Sequence, residues 1–553
     1  MQFIDDVSLP GHGNISGAFL SLDSRILIVT SAFRRLTEPP ARASYGGHRL
    51  HYRAALYRVP SRRPLAVFDD ARYPIRDVAF HPTRTMVVLG AGSYDGGYLF
   101  HGQLIVWDWT QAWSKSLRQI PEVVRVRFDQ AGEDVEAIVR PWDDGAGHQQ
   151  SHDPVNSYYR ILLKGALDLE WDKCTDEEVR RQMTTQRPMI GREIERMPGF
   201  RQPSHSPIDD IRRAFGITNL KQRSPIWDVA FVNSKCIGFV HDDCLLELGD
   251  LNGELKHSFT GDGHGAQIFR GHKPLVYAVQ VDKSSVDHWN NRSAALMQLE
   301  DGHLNEIVSL PGCYAFTMNR DGAILGRRDR SFQSERVNAE LDVILSPNSN
   351  KPSMCDLGQY DVFNHYLRAD GAPCLFFVQG TPPDSPQVKY LCTVTTGGQI
   401  NRLWPLLADS GDHASHAMEC CFCYVDDAAG PGMIVSGRHY NPQLSPYSGF
   451  IYRRTLDGRE LWRHPTTAGA TTIRAIAGFG LLVVAFLDGN LALFRSENGA
   501  IIDQQPYRPE GCSGVVYSID VDDTHLGFGA IDGRCALVPI SQITTRLLSY
   551  TTA

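Results

Sequence analysis

One seven-residue phrase occurs twice in this chain: PIRDVAF at 74–80 returns as PIWDVAF at 225–231. In the first copy a turn-forming Pro precedes an alternation, with Ile75, Asp77 and Ala79 on one side and Val78 and Phe80 on the other. A period of two belongs to a strand and excludes a helix. A strand that recurs far along the chain points to a repeat architecture.

The same grammar recurs in VVRVRFDQAGEDVEAIVR (123–140), VYAVQVDKSS (276–285), YAFTMNRDGAIL (314–325), TIRAIAGFGLLVVAFLDG (472–489) and VVYSIDVDDTHLGFGAIDG (515–533). An alternating strand meets a polar turn and a second apolar strand follows. A second hairpin then comes, as in GQLIVWDW, CLLELGDLNGEL and GFIYRRTLDGRELW. Their Asp-Gly and Asn-Gly pairs supply the positive φ that tight hairpins need. Two hairpins make one four-stranded antiparallel unit, and about nine units at irregular spacing are the signature of a β-propeller. The expected fold is all-β, with about seven to nine blades and a small helical insertion. Two smaller wheels are the alternative arrangement.

The residues that carry a family resemblance are few. Gly11-His12 and Gly271-His272 precede inner strands, and Trp107-Asp108 ends a third strand. RTLDGRELWRHP (454–465) has a turn glycine followed by Trp462. In these features the chain resembles the WD-repeat and quinoprotein-like propellers, with divergent repeats. The resemblance implies that Trp462 docks between blades. It also implies a role like that of the accessory subunits of bacterial multi-gene systems, defence systems among them.

Two segments break the rhythm. Residues 34–53 interrupt the first blade with Pro, Gly and the arginines Arg34, Arg35, Arg42, Arg49 and Arg53, and read as a long loop. Residues 175–223 hold helix signals. Thr175 stands ahead of an acidic first turn, and Ser206, Pro207 and Gly216 are a cap, a first-turn proline and a stop. The expected division is therefore 1–174 for the first blades, 175–223 for a helical insertion and 224–553 for the remaining blades, which close on the N-terminal part. The insertion carries ten Lys/Arg against seven Asp/Glu in a chain whose net charge is −8. Its Arg180, Arg181, Arg187, Arg192 and Arg196, with Arg212 and Arg213 further on, are candidate partner contacts, together with the apolar Met189 and Ile190.

Among possible chemical sites, HASHAMECCFC places His413, His416, Cys420, Cys421 and Cys423 close together. Zinc favours Cys and His at two-to-four-residue gaps within a ligand pair, and this spacing fits poorly. On a strand Cys421 and Cys423 share a face opposite Cys420, so buried thiols are expected and no metal or other cofactor. No GxSxG elbow and no phosphate-binding GxxxxGK[ST] loop is present. Acid pairs such as Asp242-Asp243 read as turn residues.

The start, MQFIDDVSLPGHG, lacks the form of a signal peptide, and no apolar stretch reaches the roughly 18 residues of a membrane helix. A cytoplasmic protein with no membrane association is the expectation. The functional reading is a non-catalytic scaffold for protein partners, with the insertion and the 34–53 loop as docking elements. The alternatives are a hydrolase or lyase at the channel mouth, and a nucleic-acid-binding accessory protein using the basic insertion. Convergent carboxylates or histidines in the channel favour an enzyme, and a plugged channel favours the scaffold.

Overall fold

Alternating strands joined by short turns pair with their successors, so the chain folds as a series of antiparallel meanders. The computed structural model describes residues 1–33, 51–94, 99–142, 157–165, 176–195, 197–198, 200, 206–263, 266–270, 275–281, 292–309, 313–328, 342–346, 353–355, 357, 368–369, 371–379, 389–406, 417–439, 449–476 and 478–543. Ten antiparallel sheets result, nine with four strands and one with three. In chain order, blade 1 runs from Ile15 to Ala71, blade 2 from Ile75 to Ile120, and blade 3 from Val123 to Ile190. Blade 4 covers Ile226–Thr260, blade 5 Gln267–Ser309, blade 6 Cys313–Cys355 and blade 7 Leu375–Pro405. Blades 8 and 9 cover Ala417–Thr466 and Ala470–Pro506, and blade 10 covers Val516–Pro539 with Gln2–Phe3 as its fourth strand. These are propeller blades, ten among the described residues where the sequence pattern suggests about nine.

The described residues form two compact units: residues 1–11 with those from Arg223 onward, and residues 12–222. The first unit holds blades 4 to 10 in cyclic order. Ala230 and Val240 of blade 4 pack with Ile268 and Val276 of blade 5, and Phe269 of blade 5 with Met318 and Ile324 of blade 6. One core runs from Leu325 and Ile344 of blade 6 through Phe376 and Phe377 of blade 7 to Phe422 and Tyr452 of blade 8. Ser436 of blade 8 accepts the Ala470 N–H of blade 9 at 3.1 Å. Leu481 and Val483 then join Val516 and Phe528 of blade 10. Cys535 and Leu537 of blade 10 return to Ile226, Val229 and Phe231 of blade 4, completing a seven-blade ring.

The recurring phrase is the inner strand of a blade. Ile75 pairs with Ala91 and Asp77 with Gly90; Ile226 pairs with His241 and Asp228 with Val240. The one-residue slip between each first and second pair is a bulge, and it recurs at Ile15/Gly17, Val123/Arg125, Cys313/Ala315, Ala470/Thr472 and Val516/Ser518. A bulge re-aims the side chain that follows it. In both copies of the phrase that side chain is Asp, and it reaches the next blade: Asp77 Oδ2 accepts Val126 N–H at 2.9 Å, and Asp228 Oδ2 accepts Ile268 N–H at 2.8 Å. The phrase repeats because a clasp between blades repeats.

Tryptophans provide a second kind of clasp. Trp462, on the outer strand of blade 8, stacks on Phe494 of blade 9 at 6.3 Å and donates from Nε1 to Ser496 O at 2.9 Å. It lies over Gly499, whose φ is +73°, and a Cβ there would come within 2.6 Å of the ring. Trp404 of blade 7 rests on Gly458 of blade 8, φ +92°, in the same manner. Positive φ favours glycine at both turns, and at Gly499 space requires it as well.

In the second unit, blades 1, 2 and 3 stack in a row through Leu56 and Leu89, then Val106 and Val126. A row of three has two outer faces to cover, and the 175–223 segment covers them. It contributes helices α1 (Asp176–Thr184), α2 (Gly191–Glu195) and α3 (Pro207–Phe215), and also the strand Met189–Ile190, which completes blade 3. Val179 and Met183 of α1 join the core of blades 2 and 3. Ile194 of α2 and Phe200 pack on Ile138, which alternates away from that core. Helix α3 lies against the other end, on blade 1, with Phe215 edge-on to Tyr57 at 5.8 Å and 82°. Its ends follow the sequence signals: Ser206 accepts Asp209 N–H, Pro207 opens the helix and Gly216 ends it at φ +65°.

Just ahead of blade 1, His12 is fully buried, with Nδ1 at 2.9 Å from Ser31 Oγ and Nε2 at 2.8 Å from the Tyr57 hydroxyl. Burial, and then the nearby Arg53 charge, push its pKa from 6.5 down to about 3. The folded value lies below the unfolded one. The stabilisation is therefore complete above pH 6.5 and is lost as the pH falls toward 3. The slope is about 1.4 kcal/mol per pH unit. Hydrogen-exchange protection of the strand Ile26–Phe33 should fall about tenfold between pH 5.5 and 4.5 relative to a His12→Gln variant. Parallel profiles for the two proteins would show that His12 is not the group responsible.

Candidate functional site

In the seven-blade unit, charged side chains converge on the inner strands. Asp228 follows the bulge of the inner strand Ile226–Asn233, and Asp520 lies on the inner strand Val516–Val521; both are buried. Asp228 Oδ1 accepts the Ser518 hydroxyl at 2.6 Å, and Ser518 Oγ accepts Val229 N–H at 3.1 Å. Asp520 Oδ2 accepts Phe231 N–H at 2.7 Å. Each carboxylate thus holds a neighbouring blade by its backbone.

Three arginines complete the network. Arg270 pairs with Asp520 at 3.1 Å and donates from Nε to Phe231 O at 3.0 Å. Arg474, on the inner strand of blade 9, lies 4.0 Å from the same carboxylate. Arg368, just before blade 7, donates to Asp228 Oδ2 and, at 2.6 Å, to Ile268 O. Arg368 thus ties the segment ahead of blade 7 to blades 4 and 5. Burial raises the pKa of Asp520, against the opposing pull of Arg270 and Arg474. A carboxyl shifted in this way is a candidate acid. Here, however, its oxygens are already occupied by a backbone N–H and guanidinium groups, as are those of Asp228 by N–H, O–H and guanidinium donors. Such a network can hold blades in register and carry a net positive charge; it offers no carboxylate pair facing an open cleft.

The residues singled out in the sequence lie elsewhere. On the helical segment Arg180, Arg181, Arg187, Arg192 and Arg213 are exposed, Arg212 and Met189 half-buried, and Ile190 56% exposed. Arg181 pairs with Glu178, Arg187 with Glu193, Arg212 with Asp209 and Arg213 with Asp210. Arg180 lies over the Trp142 ring at 4.2 Å. Arg196, Arg34, Arg35, Arg42, Arg49, His413 and His416 lie outside the described residues, as does Gly271-His272. Arg53 is on the strand His51–Arg58, 1% exposed and paired with Asp69, so the loop reading does not extend to it. Cys421 is half-buried and its thiol faces Ala470 O at 3.5 Å; Cys423 is buried, and both are free thiols.

Two openings lie away from the network. An apolar cleft of about 270 Å³ is lined by Leu491, Leu493, Leu526 and Phe528 of blades 9 and 10, with Asp503 the acid at its edge. A polar pocket of about 500 Å³ on blade 3 contains Glu136, clamped by Arg127 and Arg160. Arg127 also donates to Pro198 O and lies over Phe200, so this pocket ties the helical segment to blade 3.

Fold and site together define a β-propeller protein whose inner carboxylates serve as interblade clasps. A crystal structure of virginiamycin B lyase from Staphylococcus aureus is similar over 56% of this chain and 93% of that one, at 11% identity and a TM-score of 0.37. No family model and no curated protein matches the sequence. Among the described residues no helix is long and apolar enough to cross a membrane.

Proposed function

We propose that this chain is a non-catalytic scaffold for a protein partner, in the manner of an accessory subunit. The observation that carries the reading is the ion pair between Arg368 and Asp228, because it commits a buried carboxylate of the inner strands to structure. The His12–Ser31–Tyr57 contacts and the docking of Trp404 and Trp462 support placing the blades in the WD-repeat and quinoprotein-like group.

The docking element is the outer surface of the 176–216 segment. Its inner side is used as a cap, and its outer side carries exposed arginines and Ile190. Arg181, Arg187, Arg212 and Arg213 pair with local acids, and exposed pairs of this kind are worth only about 0–1 kcal/mol. A partner's carboxylates can therefore replace those acids at little cost, and an acidic protein surface is the matching chemistry. Nucleic acid would place phosphates on the same arginines, and would show binding that weakens steeply with salt.

The test is charge reversal, because deletion would also remove the caps. The full chain carrying Arg180→Glu, Arg181→Glu, Arg187→Glu and Arg192→Glu should keep its melting temperature. Co-purification of its partner, quantified by mass spectrometry, should fall at least tenfold. Unchanged recovery of the same partner would move the docking role to the loops of the blade rims.

A further inference from the structure

The hairpin between the second and third strands of blade 4 brings together three metal-ligating side chains, of which the Cys244 thiol donates to Phe259 O at 3.0 Å. His241 ends the strand Cys236–His241, Asp242-Asp243 form the turn, and Cys244 opens the strand Cys244–Asp250. His241 pairs directly with Cys244 across the hairpin. On a regular strand Cys244 and Glu247 would point to opposite faces. The register changes between Phe239↔Glu247 and His241↔Cys244, where two steps on one strand answer three on the other. That bulge turns Glu247 to the side of Cys244.

One ligand atom from each of His241, Cys244 and Glu247 lies within 4.8 Å of the other two, and all three residues are buried. His241 is 5%, Cys244 3% and Glu247 8% exposed. The imidazole is oriented from behind, with Nδ1 at 3.2 Å from Ser224 Oγ. Its Nε2 has no hydrogen-bond partner and faces Glu247 Oε1 at 3.9 Å. Glu247 is oriented in turn through Oε2, which accepts Arg223 Nε at 2.8 Å. Partners that fix the far side of a ligating His and a ligating carboxylate are the usual outer shell of a metal site.

We infer that His241, Cys244 and Glu247 bind one divalent transition-metal ion of the zinc class. A nitrogen, a sulfur and an oxygen donor suit zinc in tetrahedral coordination and do not suit calcium or magnesium, which take oxygen. A divalent ion with a Cys244 thiolate and a Glu247 carboxylate sums to zero charge, while Arg223 is balanced by Asp5 at 3.1 Å. The three ligands leave a fourth position for water. The burial of the set gives the site a structural role. Arg223 links it to Ile4 O and Asp5, next to the strand Gln2–Phe3 that completes blade 10, so the ion stiffens the place where the ring closes.

The test uses the full chain, stripped with a chelator and titrated with zinc and with cobalt(II). One equivalent of zinc should bind. Cobalt(II) should give a near-ultraviolet thiolate-to-metal absorption that zinc abolishes. Cys244→Ser should remove that absorption, and Glu247→Gln should weaken zinc binding at least tenfold. Cys421→Ser with Cys423→Ser should leave both unchanged. Far-ultraviolet circular dichroism confirms that each variant is folded. Two results overturn the inference: a folded wild-type protein that binds no stoichiometric zinc, or a Cys244→Ser variant that binds it as the wild type does. Either would leave Arg223, Glu247 and His241 as an ionic lock for the hairpin.

Discussion

Replacing Asp228 with alanine is expected to cost the seven-blade unit about 3–5 kcal/mol of unfolding free energy, the range for breaking a buried ion pair from one side. The carboxylate holds three blades at once. It accepts Ile268 N–H from blade 5 and the Ser518 hydroxyl from blade 10, and it balances Arg368. Truncation leaves a buried N–H without its acceptor, and a guanidinium only 16% exposed without its carboxylate. Asp77→Ala removes the corresponding acceptor of Val126 N–H in the other unit, where a neutral donor is lost, and about 1–3 kcal/mol is expected. Denaturant titration of the single variants, and of Asp228→Ala combined with Arg368→Met, measures the coupling. The double variant should lose less than the sum of the single ones by about 1–3 kcal/mol. Additive losses, or an Asp228→Ala variant within 0.5 kcal/mol of the wild type, would show that the network is not a clasp and reopen the enzyme reading.

What the sequence made legible is local. The inner strands, the tight turns and the limits of α3 depend on residues a few positions apart, and Ser206, Pro207 and Gly216 carry their roles in their own chemistry. Asp77 and Asp228 were visible as a shared letter in a shared phrase. Their function was not, because it depends on N–H groups of the next blade, and on Arg368, 140 positions away. The sequence pattern resolves about nine units against ten sheets among the described residues. Blade 6 has strands as short as three and four residues, and blade 7 has three strands, too little pattern to separate from turns. Arg53 was grouped with a loop by its charge, yet the alternation of HYRAALYR puts it in a strand with its guanidinium buried. The set His241, Cys244 and Glu247 has a spacing of two residues between successive ligands. A period-two reading places the second pair on opposite faces, and only the bulge corrects that.

Removing the helical segment is the second large effect expected, and it falls on the three-blade unit. A closed ring has no terminal sheet, since each blade has neighbours on both sides. Within their own unit, and among the described residues, blades 1, 2 and 3 stand in a row, so the first and last each have a blade of that unit on one face only. Their other faces carry apolar side chains: Tyr57 is buried under α3, and Ile138 under α2 and Phe200. The helices therefore do for the row what closure does for the ring. Phe215→Ala should cost about 3–5 kcal/mol and Ile211→Ala about 2–5 kcal/mol, the range for truncating buried side chains of this size. Arg213→Ala, on the outer side of the same helix, should stay within about 0.5 kcal/mol. Exchanging residues 176–216 for a Gly-Ser linker removes both caps and the strand Met189–Ile190 together. Hydrogen exchange should then show protection lost throughout blades 1 to 3, while the seven-blade unit retains its own transition. Unchanged protection at Ile26–Phe33 and Val135–Val139 would mean that the exposed faces are stable without the helices. The segment's apolar side would then be available, with its arginines, as a contact surface.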